Sequence, residues 1–423
     1  MARFPALREL LATRDFRVLW SSRLVGQFAD GLFQAALATF VLFSPERQPD
    51  APKIAAAFAI LLLPYSLIGP FAGVFLDRWR RRNVLVRANL LKALLTVPVI
   101  AMVLVGSDGF WLGLTVLVVL AVGRFVLAGL SASLPHVVTG HDLVTANALT
   151  PTSGTIAAAV GALVGVQIRH LAGGGDVGSA VILVCAMAGF LGASVVSSRI
   201  GVNRLGPSGE KPADTISGVA RGLVDGIREL GRKPQAGRSI AVVGSQRVVL
   251  GALTVSALLL LRNTLNPVSG AETALNEFAV LTGFAAAGAL TAAAITPWAT
   301  RRIGSTRWIV VAMLQGGILG TGFVLIGAMN AAMFALILGA TSVAFAGQAA
   351  KVVADTLIQR HVADNHLGRV FALFDMVHNV CLVTGITLMA FLSPPSGQAP
   401  LLLLLTGVVL VSSALVYRHA SRN

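Results

Sequence analysis

The sequence predicts an all-α membrane protein whose twelve transmembrane helices form two pseudo-symmetric six-helix halves. Three observations predict it: apolar runs of bilayer-crossing length recur along the chain, basic residues gather on one side of the implied topology, and the chain matches itself at one constant offset. Of its 423 residues 55% are hydrophobic and 12% charged, with a mean hydropathy of +0.80, whereas soluble domains carry about a quarter charged residues. That composition excludes an ordinary soluble domain. Cys185 and Cys381 both lie inside apolar runs, which leaves neither a disulfide framework nor a Cys/His metal site.

A helix needs about 20 apolar residues to cross the hydrocarbon. Such runs fall at residues 16–43, 54–76, 84–105, 110–134, 147–168 and 178–199, and again at 239–261, 277–298, 308–328, 331–354, 368–391 and 399–417. Residues 1–199 and 239–423 are thus the two halves, joined by a polar linker at 200–238. In that linker Val219, Leu223, Ile227 and Leu230 recur at helical spacing beside Arg221, Asp225, Arg228, Arg232 and Lys233, which reads as a short amphipathic helix on the inner membrane surface, tethering the halves.

With the N-terminus inside, the inner segments collect Arg3, Arg8, Arg14 and Arg17, the cluster from Arg78 to Arg87, the linker, Arg301, Arg302, Arg307, Lys351, Arg360, Arg369, Arg418 and Arg422. The outer loops hold only Arg47, Lys53, Arg169 and Arg262. By the positive-inside rule both termini are expected in the cytoplasm of a multi-pass cell-membrane protein, and the net charge of +15 is a topology signal with no nucleic-acid partner implied. The polar, basic start and the long first apolar run predict no cleavable signal peptide.

Sliding the chain against itself by 224 residues superposes Arg23 on Arg247, Arg78 on Arg302, Leu143 on Leu367 and Gly161 on Gly385. A parallel repeat of this kind places a substrate site between the halves near the bilayer midplane.

Ionisable groups at span centres cost about 2.5–3.5 kcal/mol each on insertion scales and need partners, water or a purpose. Span 1 carries Arg23, Gln27, Asp30 and Gln34 at i, i+4, i+7 and i+11, one polar stripe expected to face a central cavity. Arg23 and Asp30 are about 10.5 Å apart along the axis, too far for a direct pair. Two readings of Asp30 stay open: a proton carrier, or a partner for a base on a neighbouring helix. Arg23, Gln27, Gln34, Lys92 and Arg247 are candidate contacts to a substrate headgroup or carboxylate. Arg124 is a candidate for proton transfer or an internal ion pair. Asp375, His378 and Asn379, at i, i+3 and i+4, form either a titrating or a packing cluster. His136, His141 and Asp142 have no metal-site spacing. Neither a phosphate-binding loop nor a nucleophile elbow is found, so no enzyme, ATP coupling or cofactor is predicted.

The segment Gly73-Val-Phe-Leu-Asp77-Arg78-Trp79-Arg80-Arg81-Arg82 resembles the signature loop of the major facilitator superfamily, G-x-x-x-D-R-x-G-R-R, with Arg80 in place of a glycine. Its repeat copy, from Pro297 to Gly304, keeps Arg301 and Arg302 but lacks the acid. The resemblance implies the major facilitator fold and gating roles for Gly73, Asp77, Arg78, Arg81, Arg301 and Arg302, whose ion pairs form and break as the halves rock. Gln27-Phe-Ala-Asp30-Gly31, Leu134-Pro135-His136, Ala146-Asn147-Ala148-Leu149 and Gly368-Arg369-Val370-Phe371 are similar both to the bacterial drug and siderophore exporters and to the bacterial lysophospholipid transporters. Gly368-Arg369-Val370-Phe371 leans toward the exporters, and Arg87-Ala-Asn89-Leu-Leu-Lys92, with Thr139-Gly140 ahead of Leu143-Val144 and Asn147, toward the lysophospholipid transporters. The antiporter motif G-P-x-x-G-G is represented by Gly161-Ala-Leu-Val-Gly165-Val, without its proline and last glycine; Gly154, Gly161 and Gly165 then read as a small-residue seam. The implied function is a secondary active transporter working by alternating access, with proton-coupled export of an amphipathic or lipophilic compound. The alternatives are a lysophospholipid flippase and, of another class, a non-transporting membrane adaptor or sensor. The implied partners are that small molecule or lipid, protons and membrane lipids, with the chain acting as a monomer.

Overall fold

A computed structural model describes residues 10–37, 52–53, 55–56, 76, 79–107, 109–138, 142–206, 216–266 and 270–421. The described chain is helical: α1 (Arg14–Leu37), α2 (Arg81–Leu104), α3 (Phe110–Ser133), α4 (Leu143–Leu171), α5 (Gly175–Ser198), α6 (Ile216–Arg232), α7 (Pro234–Leu260), α8 (Gly270–Ile303), α9 (Ser305–Gln315), α10 (Thr321–Asn330), α11 (Met333–His361), α12 (Asp364–Leu392) and α13 (Pro400–Ala420). A π-turn at Gly316–Gly320 joins α9 to α10, and another at Leu261–Leu265 ends α7.

Among the described residues ten helical segments are long and apolar enough to cross a membrane. They match the predicted spans from the third to the twelfth. The first corresponds to α1, which carries the polar stripe, and the span at 54–76 lies almost wholly outside the described residues. Helix α11 runs seven residues past the predicted end at 354. Lys351 lies on this helix, where Asp355 one turn on pairs with it at 2.7 Å. That i,i+4 pairing is what lets the helix carry the charge.

By contacts the chain divides into two compact units: residues 1–43, 64–233 and 358–376, and residues 44–63, 234–357 and 377–423. In the first, α1 lies against α4 and α5. A Cβ on Gly31 would overlap the Ala158 carbonyl, one on Gly161 the Phe28 carbonyl, and one on Gly165 would stand 2.8 Å from Ala35 Cβ. Lipid offers no hydrophobic drive for helix association, so close backbone approach through small residues supplies the packing energy. Inside, Ala29, Phe33, Val99, Val116, Ile182 and Phe190 form a buried cluster. Leu94, Phe110, Leu163 and Val166 are exposed on the outer faces, the side a bilayer would cover.

The second unit uses the same device. A Cβ on Gly251 of α7 would overlap the Leu382 carbonyl of α12, and one on Gly385 the Val248 carbonyl. Gly161 and Gly385 are equivalent under the 224-residue offset, and each meets the backbone of the first helix of its half.

Gly161→Val and Gly385→Val are each expected to cost about 1–3 kcal/mol by overpacking, read as a lower unfolding midpoint in detergent. Gly283→Val, with open space around its Cβ position, should leave that midpoint unchanged.

Candidate functional site

Asp30 of α1 and Lys92 of α2 form an ion pair inside the bundle, with Nζ 2.5 Å from Oδ1. The ammonium lies 3.9 Å from the centre of the Phe190 ring, and the Lys92 side chain is 1% exposed against 23% for Asp30. Helix α3 comes close because it presents Gly123 there, whose Cβ would stand 3.6 Å from Nζ and 3.8 Å from Oδ1. The carboxylate and the aromatic face together offset the desolvation of the ammonium. One turn before Lys92, Asn89 donates to the Leu85 carbonyl at 2.8 Å and buries an unpartnered Oδ1.

The rest of the span 1 stripe divides. Arg23, 8% exposed, donates from Nε to Gln27 Oε1 at 3.1 Å. Both lean on α4 at Gly154, where a Cβ would overlap Gln27 Oε1 and stand 3.2 Å from Arg23 Nε. Arg23 also borders a small cleft lined by Phe16, Leu19, Trp20, Leu130, Leu134 and Thr150. Gln34, at the far end of the stripe, is exposed.

A second polar centre gathers where α2 and α12 begin and α3, α5 and α11 end. Arg81 is fully buried. Its guanidinium donates to the Leu76 carbonyl at 3.3 Å, the Ala132 carbonyl at 3.0 Å and the Leu205 carbonyl at 3.2 Å. Asp364 accepts from Arg81 through Oδ1 at 2.8 Å and through its own carbonyl at 3.0 Å. His136 Nε2 stands 3.3 Å from the same carboxylate. Nearby, Asn147 of α4 and Gln359 of α11 exchange amide hydrogen bonds at 2.6 and 3.2 Å, and Gln359 also donates to the Ser131 carbonyl at 3.0 Å. Two turns into α12 from Gly368, Asp375 meets Arg124 of α3 at 3.7 Å, both side chains about a third exposed. All these contacts lie within the first unit.

In the second unit Arg247 is half-buried on α7, next to Gln246, whose amide crowds Gly347 of α11. On α12 His378 is half-buried and Asn379 buried. Arg301 and Arg302 are exposed at the end of α8, with the Arg302 guanidinium 5.9 Å from the Trp298 ring centre. Gly73, Asp77 and Arg78 lie outside the described residues. Among the described residues no cluster of His, Cys, Asp or Glu has the makings of a metal site.

Sequence reasoning missed Asp364, Gln359 and Asp355. Asp364 is the one acid in the first turn of α12, where an acid is a common response to the helix dipole. Nothing in that position announces a partner in α2.

Membrane-crossing helices with paired charges inside the bundle define a polytopic membrane transporter. The chain belongs to the Major Facilitator Superfamily, which it matches over residues 23–386; this is a family of transporters of small molecules and not of enzymes. Over 420 residues it is 35% identical to "uncharacterized MFS-type transporters" of Mycobacterium bovis and of Mycobacterium tuberculosis, covering 98% of this chain and 93% of each relative. Among solved structures it resembles a bacterial homologue of the iron transporter ferroportin, with a TM-score of 0.72 at 15% identity over 96% of this chain and 99% of that one. It also resembles the human organic anion transporter MFSD10 (TM-score 0.70, 12% identity, 95% and 99% covered). The Escherichia coli fucose:proton symporter FucP is a third such structure (TM-score 0.65, 15% identity, 95% and 98% covered).

Removing one partner of a buried ion pair strands the other charge, at a cost of about 3–5 kcal/mol. Asp30→Ala is expected to destabilise the protein by that order, and adding Lys92→Met should recover most of the loss. Thermal unfolding of the two single variants and the double variant in detergent checks this.

Proposed function

We propose that the protein is a secondary active transporter that works by alternating access and exports an amphipathic or lipophilic compound in exchange for protons. It sits in the cell membrane as a monomer, with both termini and the linker at 200–238 in the cytoplasm. The observation that carries the proton coupling is the Asp30–Lys92 pair. Protonation of Asp30 would leave an ammonium at 1% exposure with, among the described residues, the Phe190 ring beside it, an arrangement too costly to persist. Proton binding is then inseparable from movement of α1 against α2, which is the coupling that an exchanger requires. Arg124 and Asp375, a third exposed, are the pair through which a proton reaches the interior.

Alternating access needs a closure that can open. The contacts of Arg81, Asn147 and Arg124 with residues 359–375 form such a closure on the cytoplasmic side, with Arg81, from the signature loop, at its centre. Asp77, Arg78, Arg301 and Arg302 belong to the same gating apparatus by family resemblance.

One observation favours a lysophospholipid as the compound moved. Arg23 lies beside a cleft walled by Phe16, Leu19, Trp20, Leu130 and Leu134 whose free space is about 10 Å³. The cleft thus has a cation next to apolar surface, of the kind an anionic or zwitterionic amphiphile would need, but would have to widen in another state to admit one. Gln27 and Gln34 of the same unit would extend such a site, whereas Lys92, committed to Asp30, would serve it indirectly.

Proteoliposomes enclosing a pH dye, challenged in turn with a lysophospholipid, a siderophore and a lipophilic cation, test the reading. Wild-type protein is expected to move protons with one compound, and Asp30→Asn to abolish that movement while remaining inserted. Unchanged coupled flux in Asp30→Asn would remove Asp30 from the mechanism. Transbilayer movement of labelled lysolipid without proton flux would make the flippase reading the correct one. Arg23→Ala should weaken anionic or zwitterionic substrates more than lipophilic cations; equal losses would mark Arg23 as a packing residue.

A further inference from the structure

The peptide that leaves α5 is tied to the Arg81 centre at its two ends, around residues 198–200 and 205–206, while residues 201–204 between them are exposed. Arg82 donates to the Ser198 carbonyl at 2.8 Å and to the Ile200 carbonyl at 3.3 Å. Ile200 and Leu205, 2% and 0% exposed, sit in an apolar cluster with Leu85, Val126 and Leu134. The Leu205 carbonyl accepts from the Arg81 guanidinium at 3.2 Å, and the Gly206 carbonyl from the Arg81 backbone N–H at 3.0 Å.

Gly206 is the decisive residue. It is buried and its φ of +64° lies in the left-handed region, which side chains other than those of Asn and Asp rarely adopt. A Cβ there would stand 2.5 Å from His136 Nε2 and 3.0 Å from Asp364 Oδ2. The missing side chain is the space in which His136 and Asp364 meet. Further along the linker, α6 rests on α12 through Gly226, whose Cβ would lie 3.2 Å from Leu373 Cδ1 and 3.3 Å from Arg369 Cβ. The connecting chain therefore touches the start of α12 at two places, one on each side of Gly368.

We propose that residues 200–206 are a working strap of the cytoplasmic closure, with Gly206 the positioning residue that lets Asp364 reach Arg81. The inference rests on the alternating-access reading above. Its physical content is an asymmetry at Arg81. Among the described contacts of the guanidinium, the Leu76, Ala132 and Leu205 carbonyls come from the helices and strap of the first half, and the Asp364 carboxylate and carbonyl come from α12. When Asp364 departs, the three carbonyls keep the cation hydrogen-bonded, so the closure opens without baring a buried charge.

The test uses full-length protein in proteoliposomes with Cys185→Ser, Cys381→Ser and a reporter Thr150→Cys, a buried position in the cleft beside Arg23. A membrane-impermeant maleimide is applied from the side on which α12 begins. Arg81→Ala is expected to raise the labelling rate by roughly tenfold, because that rate follows the population of the open closure. Gly206→Val should raise it comparably and Gly206→Ala less. In the Arg81→Ala background Gly206→Val should add nothing, since the closure is already open. A purely structural role would lower the unfolding midpoint and leave labelling unmoved. Should Gly206→Val not insert, Gly206→Ala with and without His136→Ala decides the matter: removing the imidazole frees room for the new Cβ and should return labelling towards wild type. If Arg81→Ala raises labelling while the inserted Gly206 variants label as wild type, the strap is overturned and the closure stands. Unchanged labelling in Arg81→Ala overturns the closure itself, and the strap with it.

Discussion

A charge taken out of water must be met by groups that replace the water, and this constraint orders the polar interior of the protein. Arg81 has no exposed surface, and four backbone carbonyls with one carboxylate accept its hydrogen bonds. Lys92 is almost as deeply buried and is met by Asp30 and the ring of Phe190. Neither cation could occupy its place before its partners were in position, so each ties the packing of α2 to that of another helix. The ion pairs are consequences of helix packing as much as causes of it.

Glycine makes those meetings possible. Gly154 leaves the room that the Arg23–Gln27 pair fills, Gly123 lets α3 close over Asp30 and Lys92, Gly347 admits the Gln246 amide, and Gly206 vacates the gap between His136 and Asp364. In each case a polar contact lies where a side chain on the facing backbone would have been. Elsewhere Gly31, Gly161, Gly251 and Gly385 bring backbones together with no charge involved. The same residue thus does two jobs: it sets helix separation throughout the fold, and at four positions it makes space for polar groups that hydrocarbon would not tolerate unpaired.

What was legible in the sequence follows from this division. Apolar runs declare themselves because a span must satisfy its backbone within one helix, and α2 to α5 and α7 to α13 begin and end within several residues of the runs read from hydropathy. The stripe of Arg23, Gln27, Asp30 and Gln34 was visible because helical spacing is local. Partners were not. Asp30 finds Lys92 across 62 positions of sequence and Arg81 finds Asp364 across 283, and the Leu76, Ala132 and Leu205 carbonyls carry no side-chain signature at all. The pairing of Lys351 with Asp355 one turn on was local and could have been read from the sequence. Gly206 lies in what read as a polar linker, and its positive φ against His136 belongs to the tertiary structure alone.

Three ion pairs of the first unit, those of Asp30, Asp364 and Asp375, differ in exposure, and the difference ranks what it takes to break them. Arg124 and Asp375 stand 3.7 Å apart with about a third of each side chain exposed, so water can replace either partner and separation costs about 0–1 kcal/mol, as for other wet pairs. Asp364 is 42% exposed although Arg81 is fully buried. Its carboxylate can return to water while the carbonyls retain the guanidinium, which places this pair at an intermediate cost. Among the described residues the pair of Lys92 and Asp30 has no such reserve, because beyond Asp30 the ammonium meets an aromatic face. Of the three it is the pair that a conformational change could least afford to break by separation, and neutralising Asp30 is the route by which it would be broken. A proton at Asp30 would therefore act on the helices directly, whereas the other two pairs would yield to a motion that had already begun.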